Sequence, residues 1–200
     1  MNGGPQTSVG TSAVWVDNKG TGRVVNSANE LRVSPTPGAA STPGLEAPSD
    51  LPYDKPGSLL FRTLTYADLR ALPTEPAALK NELIRLSGAS APTIEDLYDR
   101  MGDLLTLQAT PPGVRVGLAR LLMDNGATVL GPVQDRNGRQ GLGVAAPLAD
   151  GSRRVFVLDT TTYRRLGDFT VPAGATTSAA AAIAWNTVLD NLIVDSTATR

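Results

Sequence analysis

Apolar positions change period twice along this 200-residue chain. Ser12 to Val16 and Gly22 to Asn26 are short runs rich in β-forming residues, divided by Asp17-Asn18-Lys19-Gly20-Thr21. The Asn and Gly of that divider supply the positive φ of a hairpin loop, and Glu30 to Val33 extends the expected sheet. From Thr65 the period lengthens to that of a helix. Thr65-Tyr66-Ala67-Asp68 has capping-box spacing and predicts one short helix, stopped by Pro73. Thr74 caps a second, with Pro76 tolerated in its first turn and Leu79, Leu83 and Leu86 on one face. Gly88 to Pro92 ends it. Thr93-Ile94-Glu95-Asp96 opens a third helix, with Ile94, Leu97, Tyr98, Met101, Leu104 and Leu105 at helical spacing. Pro111-Pro112 then precedes a fourth, striped by Val114, Leu118, Leu121 and Leu122.

From Ala127 the period becomes 2. Ala127 to Asp135 and Gly141 to Leu148 flank Arg136-Asn137-Gly138-Arg139, an Asn-Gly hairpin signal. Asp150-Gly151 leads into Arg153 to Asp159, and Leu166 to Val171 forms another strand. The tail fits two periods: Trp185, Val188, Leu189, Leu192 and Ile193 make a helical stripe, whereas Ile183, Trp185, Thr187 and Leu189 alternate as a strand. The stretch 34–57 carries six prolines, at 35, 37, 43, 48, 52 and 56, which favour extended, unpaired backbone. It reads either as a domain boundary or as a long surface loop within one domain spanning 1–200. The hairpin before it is too small to fold alone. That favours the single domain, with the hairpin joining the sheet formed after residue 127.

Composition narrows the chemistry. A hydrophobic share of 41% suits an ordinary globular core. Eighteen basic against nineteen acidic residues give a formal charge of -1, which offers no field for nucleic acid. The chain has no cysteine and no histidine, so disulfides, thiolate sites, structural zinc on Cys or His, and histidine-assisted nucleophiles are excluded. No serine stands three residues before Lys19, Lys55 or Lys80, so a Ser-x-x-Lys pair is absent as well. No run reaches the roughly 20 apolar residues that span a bilayer. No cofactor is expected, and the protein is expected not to be an enzyme.

The remaining signals admit structural readings. Asp96, Asp99 and Asp103 fall on one side of the third helix, where a solvated polar face accounts for them. Arg153-Arg154 and Arg164-Arg165 are the largest basic clusters, each expected to flank a strand in solvent. Asp135-Arg136-Asn137-Gly138 echoes the start of a calcium loop but has no Glu at the twelfth position, which leaves turn chemistry. Gly141-Leu142-Gly143 lacks the third glycine of a dinucleotide fingerprint. A glycosidase-type carboxylate pair needs no proximity in sequence and stays open. Trp15 and Trp185 lie in β-capable runs, where they either pack the core or line an apolar pocket.

Several ordered motifs resemble an actinobacterial family of membrane-anchored ectodomains encoded beside extracytoplasmic-function sigma factors. The likeness runs from about Val14 to Asp195. It rests on Trp15-Val16-Asp17 through Gly22-Arg23, on Leu72-Pro73-Thr74-Glu75-Pro76 through Leu79, and on Gly131 through Asp135 to Gly138-Arg139. Leu158-Asp159 through Leu166-Gly167 adds a further turn, with Tyr163 where the family pattern has glycine, and Ile193-Val194-Asp195 matches a closing Val-Val-Asp that tilts the tail towards strand. The family has no established activity, so the resemblance implies placement and architecture. It implies an extracytoplasmic domain whose membrane anchor lies outside these 200 residues; the start, Met1 to Pro5, has neither part of a signal peptide.

The expected fold is α+β: a curved antiparallel β-sheet covered on one face by about three helices, similar in outline to lipoprotein-carrier-like half-barrels. The first functional expectation is a non-catalytic ligand-binding or sensory module. Trp15, Phe156 and Trp185 would line a cavity for an apolar or amphiphilic ligand. The alternative is a protein-interaction ectodomain with a membrane or cell-wall protein partner and no small ligand.

Overall fold

The structure is a computed structural model that describes the backbone of residues 7–16, 22–31, 49–53, 64, 66–87, 91–107 and 109–188, and side chains from Leu64 onward, Tyr66 excepted. The expected hairpin forms: β1 (Thr7–Val16) and β2 (Gly22–Leu31) pair antiparallel, with Val16 opposite Gly22. Its partner corrects the expectation. The hairpin does not join the strands after residue 127 but builds a separate three-stranded sheet with β3 (Ser49–Tyr53). A strand therefore forms inside the proline-rich stretch. β3 lies at the edge of its sheet, where Pro52 and its missing N–H are tolerated. The rest of 34–57, the first loop at 17–21, the cap at Thr65 and the closing Ile193-Val194-Asp195 lie outside the described residues.

Four helices follow: α1 (Tyr66–Ala71), α2 (Pro76–Ser87), α3 (Ile94–Thr106) and α4 (Pro112–Asp124). The start of α3 is the expected capping box. The Asp96 N–H donates to Thr93 Oγ1 at 3.1 Å, and the Thr93 N–H donates to Asp96 Oδ2 at 2.8 Å. Then β4 (Thr128–Gln134), β5 (Gln140–Pro147), β6 (Arg153–Leu158), β7 (Arg165–Val171) and β8 (Ala184–Thr187) pair in sequence order as an open antiparallel meander. Within the ambiguous tail β8 forms as strand, and residues 189–195 lie outside the described residues. The alanines before β8 make only a 3₁₀ turn at Ala179–Ala181, because Trp185 gains more by packing on Phe169 across the ladder, ring centroids 4.8 Å apart.

Both faces of the meander are apolar. Val144, Ala146, Phe156 and Leu158 meet Leu79, Leu83, Tyr98, Met101, Leu104, Leu118 and Leu122 of the helices. The other face gathers Ala145, Val155, Val157, Phe169 and Val171, with Leu130, Val133, Leu166 and Trp185 packed beside them. The described residues that pack over this second face include Ala175, Ala179, Ala181 and Ala182, from the β7–β8 connection.

Curvature is visible in one arginine. Arg139, in the β4–β5 turn, donates from Nε to Asp135 Oδ2 at 2.7 Å and from Nη2 to the carbonyls of Leu166 and Val188 at 2.8 and 2.6 Å. In a flat sheet β8 would lie about 14 Å from β5, farther than an arginine reaches. The Asp135 carboxylate also accepts the N–H groups of Asn137 and Arg139, and Gly138 takes φ 77°. The motif that echoed a calcium loop is thus a turn and a clamp.

Tyr163 stands at φ 56°, the only non-glycine residue with positive φ among the described residues. It occupies the position where the resembled pattern carries glycine. A left-handed backbone strains an L-residue with a Cβ by about 1–2 kcal/mol. Tyr163→Gly is expected to stabilise the fold by about 0.5–1 kcal/mol after the added freedom of the unfolded chain is deducted. The urea unfolding midpoint should rise; a fall would mean that the Tyr163 side chain outweighs its backbone strain.

Candidate functional site

α3 packs over β7, and a groove of about 310 Å³ lies between Glu95 and Asp99 of α3 and Thr170, Ala184 and Asn186 of the last two strands. Arg154 and Asp168 make its floor, and Leu148 and Trp185 border it.

The floor continues into a charged seam beneath α3. Arg154 bonds Asp168 through Nε at 3.2 Å and Nη2 at 3.3 Å, and its Nη1 pairs with Asp99 on α3. Arg165, with 7% of its side chain exposed, donates from Nη1 to Asp168 Oδ2 at 3.0 Å. Residues three apart in a regular strand point to opposite faces. Arg165 and Asp168 share one because a bulge sets two β7 residues against one of β6: Val157 faces Gly167 and Leu158 faces Arg165. The expectation that both arginine pairs lie in solvent is therefore wrong for Arg154 and Arg165. The solvated-face reading of the α3 acids likewise fails for Asp103, which faces this seam.

Burial works against the Arg154 charge, yet Asp168 and Asp99 outweigh it and raise its pKa. For Arg165 burial prevails and lowers it. The seam holds two guanidinium groups against three carboxylates, Asp99, Asp103 and Asp168. Burial pushes Asp103 up to about 6, with Arg165 and Arg154 pulling down and Asp99 and Asp168 pushing up. Among the described residues no three carboxylates gather closely enough to hold a metal ion. The arrangement can hold charge and exchange one proton.

No family model, curated protein or solved structure matches the chain.

Phe156 and Trp185, two of the three residues expected to line one cavity, lie on opposite faces of the meander. Phe156 has no exposed surface; it packs edge-on to Tyr98 with centroids 6.5 Å apart and lies 5.1 Å beneath the Arg154 guanidinium. Phe156 pairs with Asp168 and Asp168 with Asn186, whereas Trp185 pairs with Phe169 and Phe169 with Val155. Strand parity thus sets Phe156 and Trp185 on opposite faces. Trp15 stands in β1 opposite Arg23, and its side chain lies outside those described. Sequence reasoning missed Arg154, Asp168 and Arg165. One signal was present: Arg154 is in phase with Phe156 and Leu158. Val155 and Val157 are equally apolar, so phase could not say which face carried the helices.

Gly102 lets the seam close. A Cβ there would stand 2.9 Å from Arg165 Nη1 and 3.2 Å from Phe156 Cε1. Glycine to alanine inside a helix ordinarily gains about 1 kcal/mol. Gly102→Ala should instead destabilise by about 1–3 kcal/mol through overpacking, and an unchanged or higher melting temperature would refute this close approach. For Asp103 the folded pKa exceeds the unfolded one. Its contribution is complete below about pH 4 and is lost as pH rises through about 6. Asp96, Asp150 and Asp159, held low by hydrogen bonds from Thr93, Ser152 and Thr162, act with the opposite sign. Asp103→Asn isolates the term. Its stability minus that of the parent should grow by about 1–3 kcal/mol between pH 4 and 7, and a flat difference in urea titrations would refute the assignment.

Proposed function

We propose that this protein is a non-catalytic extracytoplasmic module that binds a protein partner on its surface, at the groove between α3 and β8. One observation carries the reading: the space between sheet and helices is filled. Leu79, Tyr98, Met101, Leu105, Leu118, Leu122, Val144, Phe156 and Leu158 have no accessible surface. Side chains without accessible surface cannot border a void that admits even one water. The amphiphile reading needs such a chamber, so surface recognition is the better supported of the two expectations.

The groove suits an extended peptide segment. It runs beside β8, the terminal strand of its sheet among the described residues, and such edges pair with added strands. Leu148 and Trp185, which border the groove, offer apolar contact. The acids Asp99 and Asp168 are both engaged by Arg154, which favours a structural charge network over a pair of poised catalytic carboxylates. The extracytoplasmic placement and the anchoring segment rest on the ordered motifs from Trp15 to Asp195. Among the described residues no helix is long and apolar enough to cross a membrane.

Two measurements test this. With Trp15→Phe, Trp185 becomes the sole tryptophan, and titration with oleate or lysophosphatidylcholine should give no saturable change in emission. A saturable change would show an amphiphile site beside Trp185 and sink the proposal. A photoreactive benzoylphenylalanine at the exposed groove residue Asn186 should crosslink a discrete membrane or wall protein in cells, while the same probe at exposed Asn137 should not. Identical patterns from both positions would count equally against it.

A further inference from the structure

A second groove, of about 670 Å³, brings together three arginines from segments far apart in sequence: Arg70 of α1, Arg115 of α4 and Arg164 of the β6–β7 loop. No carboxylate stands among its described lining residues. Arg115 is buried and braced there, its Nη1 donating to the Thr162 carbonyl at 3.1 Å. Burial, then the neighbouring Arg164 charge, hold Arg115 below the ordinary arginine range. The Nε of Arg164 is itself buried and has no hydrogen-bond partner among the described residues.

The Asp159 carboxylate, outside the described lining, attracts Arg164 and meets part of the cluster's charge. Its Oδ1 already accepts the N–H groups of Thr161 and Thr162 and the Thr162 hydroxyl. Pro111 and Pro112, at the groove wall, start α4 without any side-chain cap. The positive end of that helix adds to the same field. Like charges gathered in a partly buried groove repel, and an anion there removes the penalty. Guanidinium forks match the paired oxygens of a tetrahedral oxyanion and can share a dianion.

We propose that this groove is a binding site for a phosphoryl group, carried by a soluble phosphate ester or by a lipid headgroup. It is separate from the α3–β8 groove and does not rest on the reading given to that groove.

The experiment uses the whole chain in phosphate-free buffer, with inorganic phosphate and glucose 6-phosphate in calorimetry and phosphatidylcholine vesicles with and without phosphatidylglycerol in flotation. Saturable binding with a rise in melting temperature is expected. Arg70→Gln and Arg164→Gln should each weaken it roughly ten- to a hundred-fold. Arg164→Gln should also hold or raise the melting temperature without ligand, because it relieves repulsion; a purely structural arginine would do the reverse. Tighter binding of the ester than of vesicles assigns a soluble ligand, and flotation that depends on phosphatidylglycerol assigns a headgroup. No saturable binding of any probe, or binding indifferent to both substitutions, overturns the proposal.

Discussion

Arg165 puts a guanidinium inside the contact between helices and sheet, and answering that charge dictates how the two layers meet. A buried cation left unpaired costs several kcal/mol. The bulge opposite Val157 and Leu158 therefore matters: it turns Asp168 to the same face as Arg165, and Asp168 in turn holds Arg154. α3 must bring Asp99 within reach of Arg154 and Asp103 towards Arg165 while passing close enough to touch them. Gly102 at the point of closest approach is the consequence. One irregularity in a strand thus sets the position of a helix.

The seam also divides the contact between helices and sheet into two unlike ends. Phe156 and Leu158 continue the same strand face into leucine-rich packing, so the charged end of the contact is wet and the apolar end is sealed. A chamber for a hydrocarbon would need the reverse, an apolar end open to solvent. Accessible grooves among the described residues include the one between α3 and β8 and the one where three arginines of α1, α4 and the β6–β7 loop converge. In the first, the Arg154 charge is met by Asp99 and Asp168. In the second, the described lining offers no carboxylate, which makes these sites chemically different although they lie on one small fold.

Local signals were legible wherever the responsible atoms are neighbours in sequence. The Thr93–Asp96 capping box, the Asn137-Gly138 turn and the leucine stripes of α2, α3 and α4 formed where their spacing placed them. Signals failed where a partner is remote. Arg139 reads as one more turn residue, yet it clamps Leu166 and Val188. Trp185 and Phe156 look like equivalent aromatics in β-forming runs, but pairing parity assigns them to different faces. β3 was hidden by prolines because nothing local marks an edge position.

The chain alone determined most of the helices and strands, β3 and β8 excepted, and it removed thiol and histidine chemistry and zinc sites built on Cys or His, since those follow from residue identity and short-range sterics. It determined an α+β architecture because the 3.6- and 2-residue periods occupy separate stretches. Only the tertiary structure decided which face of β6 the helices cover, that β2 pairs with β3, and that arginines from α1, α4 and a loop share one groove. The physical reason is common to all three. Pairing, burial and charge compensation are properties of distance in space, and a sheet with two apolar faces leaves the sequence unable to say which side is which.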